Sequence, residues 1–275
     1  MSAAEQGQRT ASEGAGSRGL LATCVTAAVR AADEIRRRTP DRATLRWEEK
    51  SATDFVSEVD HAAEAVIAGI VAERHPGAVL LAEEGSPDAD IARGTVFVVD
   101  PLDGTTNFLH GFPWYAVSIA ALVDGNIVAG AILNVPTGEL FTATAGGGAR
   151  RAGEPIRVSG ITTPARALVG TGMPFKSPEQ ADRYLLTLPR IMRQTAGVRR
   201  PGSAALDLAD VACGRFDGFW EPRLAPWDIA AGILLVREAG GVVTDYDGTP
   251  ATVRHTPIVA GNPAMHAWLL EQLQQ

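Results

Sequence analysis

Two cysteines in 275 residues exclude a disulfide framework. Cys24 and Cys213 fall in helical patterns far apart in the chain, which suits small core residues and neither a bridge nor a thiolate metal pair. No apolar run reaches the about 20 residues of a membrane span, and the N-terminus lacks the basic and apolar regions of a secretory signal. A cytoplasmic protein is expected. Positive charge is short as well: 25 Lys and Arg against 32 Asp and Glu leave a net −7, which offers no footprint for nucleic acid and no polybasic membrane anchor. An anionic substrate would therefore need bound cations to invert the local field. The five histidines, His61, His75, His110, His255 and His266, show no HxH or HxxxH spacing and read as surface or loop residues rather than metal ligands. Gly146 to Gly148 precede no helix carrying Lys and Ser/Thr, so they read as a bend and not a phosphate loop.

What is present is a 45% hydrophobic chain, long enough for one large domain or two small ones. It is organised around VFVVDPLDGTTNF, Val96 to Phe108. Val96 to Val99 read as a strand buried on both faces, which delivers Asp100 and Asp103 to a sheet edge. Pro101 presets the second position of a turn, so the two acids are expected at the turn's ends, with Cα atoms within about 7 Å. Ionised carboxylates about 5 Å apart repel by roughly 3 kcal/mol at an effective dielectric near 20, so the pair calls for a proton or a cation. Oxygen ligands alone select a hard cation, and magnesium is the first choice. Gly104 admits close approach of a ligand to the backbone, and Thr105, Thr106 and Asn107 suit a helix start whose free N–H groups face an anion. Metal beside phosphate is the chemistry this stretch describes.

Before it, residues 1–18 are rich in Ala, Gly, Ser, Glu and Gln without an apolar period and are expected to form a disordered tail. Leu21, Val25, Ala28, Ala32 and Ile35 mark a surface helix that ends in Arg36, Arg37 and Arg38, where basic residues suit the helix dipole. KSATDFVSEVD, Lys50 to Asp60, alternates briefly, and Ala63, Val66, Ile67, Ile70 and Val71 continue as a second helix. Taken alone, Asp60 reads as a first-turn acid. Val79 to Ala82 is a short strand that also ends in acid, Glu83 and Glu84, and only one of the two can point toward Asp100 because strand side chains alternate.

After it, Tyr115 to Val123, Ile127 to Val135 and Leu140 to Ala145 read as an antiparallel meander, with GEPIRVS as a last hairpin arm. A boundary near residues 155 to 165 divides an N-terminal half, 19–158, from a C-terminal half, 159–275, in which strands and helices alternate. In the second half Gly202 and Ser203 cap a helix through Cys213, Phe216 to Trp220 is a strand ending in Glu221, and Asp228 stands at the start of a helix through Glu238. Arg199, Arg200, Arg215 and Arg223 suit contact with an anionic substrate or a partner subunit, but each alone reads first as a solvated charge.

VVDPLDGTTNF together with PWDIAAGILLVREAGG at Pro226 to Gly241 resembles the inositol monophosphatase family, in its bacterial inositol-1-phosphatase branch. DFVSEVD, AEEG, GFPWYAVSIA and PGSAALDLADVACGRFDGFWE support the likeness over about residues 20 to 275. The resemblance implies an α/β fold, a layered α/β/α/β/α sandwich. It also implies a homodimer that hydrolyses phosphate monoesters with two or three magnesium ions and is sensitive to lithium. By position, Glu83, Asp100 and the carbonyl of Leu102 look like ligands of one ion, and Asp100, Asp103 and Asp228 like ligands of a second. Asp60 and Thr105 would orient the attacking water, with Glu83 sharing that task through a third ion, and the N–H groups of Gly104 and Thr105 would bind phosphate. Glu221, Asp103 and the backbone of Gly202, Ser203 and Ala204 would contact the alcohol. The substrate expected is a small phosphorylated polyol, inositol 1-phosphate first, with histidinol phosphate and fructose 1,6-bisphosphate as alternatives. A non-catalytic regulator that binds metal and a phosphometabolite is the contrasting class.

Overall fold

The computed structural model describes residues 3–40, 47–51, 54–175 and 177–275. Its centre is β4 (Thr95–Asp103), where Val96, Phe97, Val98 and Val99 are each at most 1% exposed, so apolar layers cover both faces. β3 (Val79–Ala82) pairs parallel on one side and β5 (Ala116–Val123) antiparallel on the other. The sheet continues as a meander through β6 (Asn126–Asn134), β7 (Leu140–Thr144), β8 (Gly148–Arg151) and β9 (Glu154–Pro155). Asp124 and Gly125, with φ of 48° and 76°, form the tight turn between β5 and β6, since two successive positive φ values match the twist of a hairpin.

Strand alternation then assigns the layers. Phe97, Val99, Ile119 and Leu133 pack against Ala28, Ala32 and Ile35 of α1 (Ala3–Arg38) and Ile67 of α2 (Glu58–Arg74). Val96, Val98, Leu122 and Ile132 face the other way, onto Leu208 of α5 (Ala204–Ala212) and Ile233 of α6 (Pro226–Glu238). Beyond α5 and α6 lies a second sheet in the order β11 (Gly197–Arg199), β10 (Leu168–Thr171), β12 (Gly218–Leu224), β14 (Thr256–Gly261), β13 (Val242–Thr244). Phe219 and Ala260 point inward to the shared core; Trp220 and Val259 point outward to α4 (Ala181–Met192) and α7 (Pro263–Gln274). The result is the expected α/β/α/β/α sandwich.

Two features differ from the sequence reading. Helix α1 begins at Ala3, where a disordered tail through residue 18 is expected. Ala, Glu, Gln and Arg in that stretch are strong helix formers, and once the packed turns beyond Leu20 are set, each added residue contributes a hydrogen bond at little further cost. A hairpin of β1 (Trp47–Ser51) and β2 (Asp54–Ser57) precedes α2, where the residue pattern shows only a short alternation, and residues 52–53 lie outside the described set. The chain passes from one sheet to the other between Pro155 and Leu168, but α5 and α6 of the second half complete the core of the first. Gly146 N and Gly148 N each donate to Glu238 of α6 at 2.8 Å, and Arg215 forks onto both carboxylate oxygens of Glu139 at 2.6 Å.

The contact between α5 and α6 is close because position 232 has no side chain. A Cβ at Gly232 would lie 2.4 Å from Cδ1 and 2.6 Å from Cβ of Leu208. Gly232→Leu is expected to lower the urea midpoint by the equivalent of about 1–3 kcal/mol at unchanged m-value. An unaltered midpoint would contradict this packing.

Candidate active site

Register brings the acids together. Ala82 of β3 pairs with Val99 of β4, and Glu83 N donates to Val99 O at 3.3 Å, so Glu83 and Asp100 leave the two parallel strands side by side. Between Asp100, opposite Ser118, and Asp103, opposite Ala116, β4 advances three residues while β5 advances two. A spacing of three would put the carboxylates on opposite faces of a regular strand; the extra residue of this bulge returns them to the same side. The expected turn is therefore a bulged strand, because the ladder with β5 resumes at Asp103, and Leu102 N closes onto Asp100 Oδ1 at 3.0 Å.

Gly104 follows with φ 94° and opens the short helix α3 (Thr105–His110). A Cβ there would sit 3.1 Å from Trp114 O and 3.3 Å from Gly202 O, in a backbone conformation L side chains rarely adopt, so only glycine fits. The Thr105 hydroxyl lies 3.0 Å from Asp60 Oδ1 and 3.1 Å from Leu102 O. Asp60 occupies the first turn of α2 and is buried, its Oδ2 accepting from Ser57 N at 2.8 Å and Ser57 Oγ at 2.5 Å. It caps the helix and fastens Thr105 at once. Burial raises its pKa, the bonds from Ser57 and Thr105 oppose that, and the charge of Glu83 adds to the rise.

From the second half, Ser203 caps α5 and donates to Asp103 Oδ2 at 2.6 Å, while Ala205 N donates to the same oxygen at 2.8 Å. Asp228 repeats the arrangement of Asp60: Pro226 opens α6, and Asp228 Oδ2 reaches back to Ala225 N at 2.7 Å. Carboxylate oxygens of Asp100, Asp103 and Asp228 all lie within 4.8 Å of one another. At an effective dielectric near 20, each ionised pair at that separation repels by roughly 3 kcal/mol. Asp100 is held well above the usual carboxylate range, first by burial, then by Glu83, Asp103 and Asp228. A set of carboxylate oxygens, with the Leu102 carbonyl beside them, is a hard donor set that fits a divalent cation bound through oxygen.

These groups line one cavity of about 370 Å³, together with Glu83, Leu102, Gly104, Thr105, Gly202, Ser203, Ala204 and Glu221. Asp60 stands behind Thr105 and does not line it. Glu83, not Glu84, lines the cavity; the Glu84 amide is instead taken by Glu64 Oε2 at 2.9 Å. Glu221 rests against Gly172, where any Cβ would lie 2.0 Å from its carboxyl group. Met173, Pro174, Phe175 and Asp207 also line the cavity without any sign of it in the sequence, and Arg200 and Arg223, read first as solvated charges, line it too. Arg200 lies over the Phe175 ring at 5.2 Å. Arg215, read as a solvated charge, is instead engaged with Glu139 and with Asp210 at 3.1 Å, outside the cavity. His110 is exposed and outside the cavity, whereas His266, read as a surface or loop residue, is buried in α7 with Nε2 2.9 Å from Thr244 Oγ1.

The inositol monophosphatase family matches residues 18–275, and the chain belongs to that family. An inositol-1-monophosphatase of Mesorhizobium japonicum is 42% identical over 257 residues, covering 93% of this chain and 96% of that protein. A protein of Pseudomonas aeruginosa named Nus factor SuhB is 43% identical over 252 residues, covering 90% and 93%. Among solved structures, the extragenic suppressor protein suhB of Bartonella henselae superposes with a TM-score of 0.88 at 42% identity, over 93% of this chain and 98% of that one. The family makes a phosphatase the activity to expect of this cluster of acids.

Because Asp100 is raised in the folded protein relative to an unfolded carboxyl group, deprotonation opposes folding as pH climbs above the unfolded value near 3.9, and a cation that neutralises the cluster removes that penalty. The rise in melting temperature produced by magnesium is therefore expected to be larger at about pH 8 than at about pH 5. A rise independent of pH, or none, would contradict the electrostatics of the cluster.

Proposed function

We propose that this protein is a magnesium-dependent phosphomonoester hydrolase whose substrate is inositol 1-phosphate. The observation that carries the reading is the convergence of Asp100, Asp103 and Asp228 within 4.8 Å at the wall of a cavity of small-molecule size. Glu83, Asp100 and the Leu102 carbonyl would hold one magnesium ion, and Asp100, Asp103 and Asp228 a second, with Glu83 contributing to a third. Magnesium bound there supplies positive charge for the phosphoryl oxygens and lowers the pKa of water. A substrate anion is then favourable inside a chain of net charge −7.

The remaining work belongs to the chain's own groups. When the Thr105 hydroxyl donates to Asp60 Oδ1, its lone pairs are free to accept a hydrogen bond from a water in the cavity and fix that water's orientation. The N–H groups of Gly104 and Thr105 hold phosphoryl oxygens. Asp103, the backbone of Gly202 to Ala204, and Glu221 contact the alcohol. Water attacks directly, without a covalent phosphoenzyme: Cys24 is fully buried in α1 with its thiol pushed up to about 12, Cys213 lies outside the cavity, and a phospho-aspartate would leave Asp100 unavailable as the ligand common to both ions. The working form is a cytoplasmic homodimer sensitive to lithium.

Two observations favour other readings. Arg200 and Arg223 on the cavity wall suit a second anionic group, as in fructose 1,6-bisphosphate, while Glu221 suits the cation of histidinol phosphate. The name of the relative called Nus factor SuhB keeps a regulatory protein as the contrasting reading. Phosphate release from inositol 1-phosphate, histidinol phosphate and fructose 1,6-bisphosphate, with and without magnesium, separates these readings. Magnesium-dependent release is expected from inositol 1-phosphate first. No release from any of the three would favour the regulator. Asp103→Asn is expected to lower kcat by at least about a hundredfold with melting temperature held within a few degrees; retained turnover would remove Asp103 from the site.

A further inference from the structure

Asp207 has no role in the hydrolysis described above. It lies in the first turn of α5, is 1% exposed, and lines the cavity together with Glu221 and Asp103. Its Oδ1 is fully buried and has no hydrogen-bond partner among the described residues. Glu221, Asp103 and Asp210 surround it with like charge, and Arg200 is the nearby positive group. Burial and that company keep the carboxyl group well above the usual carboxylate range. Three residues on, Asp210 shows how the same helix treats an acid that belongs to the structure: it is bound by Arg215 at 3.1 Å.

A buried acid with an unpartnered oxygen weakens a fold. The rest of α5 is almost wholly Ala, Leu and Val, and an apolar residue at 207 would pack there without that loss. Because Asp207 lines the cavity, a group that enters it is placed to supply the missing partner. A carboxyl group accepts hydrogen bonds through its oxygens and donates one as well when protonated, and an alcohol hydroxyl answers it in either form. We propose that Asp207 is a specificity-determining residue: it binds a second hydroxyl of the alcohol beside the one held by Glu221, so the cavity selects phosphomonoesters of polyols with neighbouring hydroxyl groups. The inference rests on the phosphatase reading and narrows its substrate class.

The test compares inositol 1-phosphate with phenyl phosphate, whose alcohol carries no further hydroxyl, in the wild type and in Asp207→Leu and Asp207→Asn. For Asp207→Leu, KM for inositol 1-phosphate is expected to rise about tenfold or more, the equivalent of one lost hydrogen bond, while both constants for phenyl phosphate stay within about twofold. Asp207→Asn, which keeps a donor and an acceptor, should recover most of the loss, and the melting temperature of Asp207→Leu should equal or exceed the wild type's. Equal losses on both substrates, an unchanged KM for inositol 1-phosphate, or a lower melting temperature would overturn the assignment. If the wild type hydrolyses neither ester, the phosphatase reading fails by itself, and calorimetric binding of inositol 1-phosphate decides on Asp207. Weaker binding in Asp207→Leu would then support the assignment; equal binding, or none to the wild type, would overturn it.

Discussion

Everything in this molecule that bears on chemistry depends on holding like charges together. Glu83, Asp100, Asp103 and Asp228 come from a strand end, a bulged strand and a helix start, and the backbone leaves them little freedom to separate. Asp100 is tied to Leu102 N, Asp103 to Ser203 and Ala205 N, and Asp228 to Ala225 N. Each bond turns an acid toward a common point while lowering the cost of its charge. The residual repulsion is what a divalent cation would relieve, so the site's affinity for metal is stored in the fold's own geometry.

The five-layer arrangement supplies the rigidity this requires. The middle helices α5 and α6 are buried between two sheets, and their N-termini carry Ser203 and Asp228. Their close approach at Gly232 and Leu208, and that of Gly130 to Ala231, where a Cβ would lie 3.2 Å from Cα, fix where those termini lie relative to β4. Small residues along the α5 and α6 contact thus serve the placement of carboxylates several residues away. Elsewhere in the cavity the walls differ in kind: acids and a glycine-opened helix on one side, Phe175 beneath Arg200 on the other.

The layers were legible in sequence wherever periodicity was strong. Val96 to Val99, the meander, and the helices beginning at Ser203 and Pro226 lie within a few residues of where pattern and capping place them. Asp100 and Asp103, with an acid from the end of the neighbouring strand, were legible from strand and turn patterns, whereas Asp60, Asp228 and the choice of Glu83 over Glu84 were legible only through likeness to a known family, since no local rule connects residues so far apart in the chain. The bulge was not legible, because Pro101 reads equally as a turn residue and as a strand irregularity. Asp207 was hidden inside a helix whose composition reads as core, and only its unpartnered oxygen marks it. Arg200 and Arg223 were hidden for the opposite reason: a lone arginine in a loop or strand end carries no sign of the cavity it borders.

The most direct test of the convergence of acids is the anomalous signal of manganese in crystals of the whole chain soaked with that ion. The account predicts a peak bounded by Asp100, Asp103 and Asp228, and its loss in Asp228→Ala. Manganese bound only at other surfaces, with those three carboxylates free of it, would contradict it.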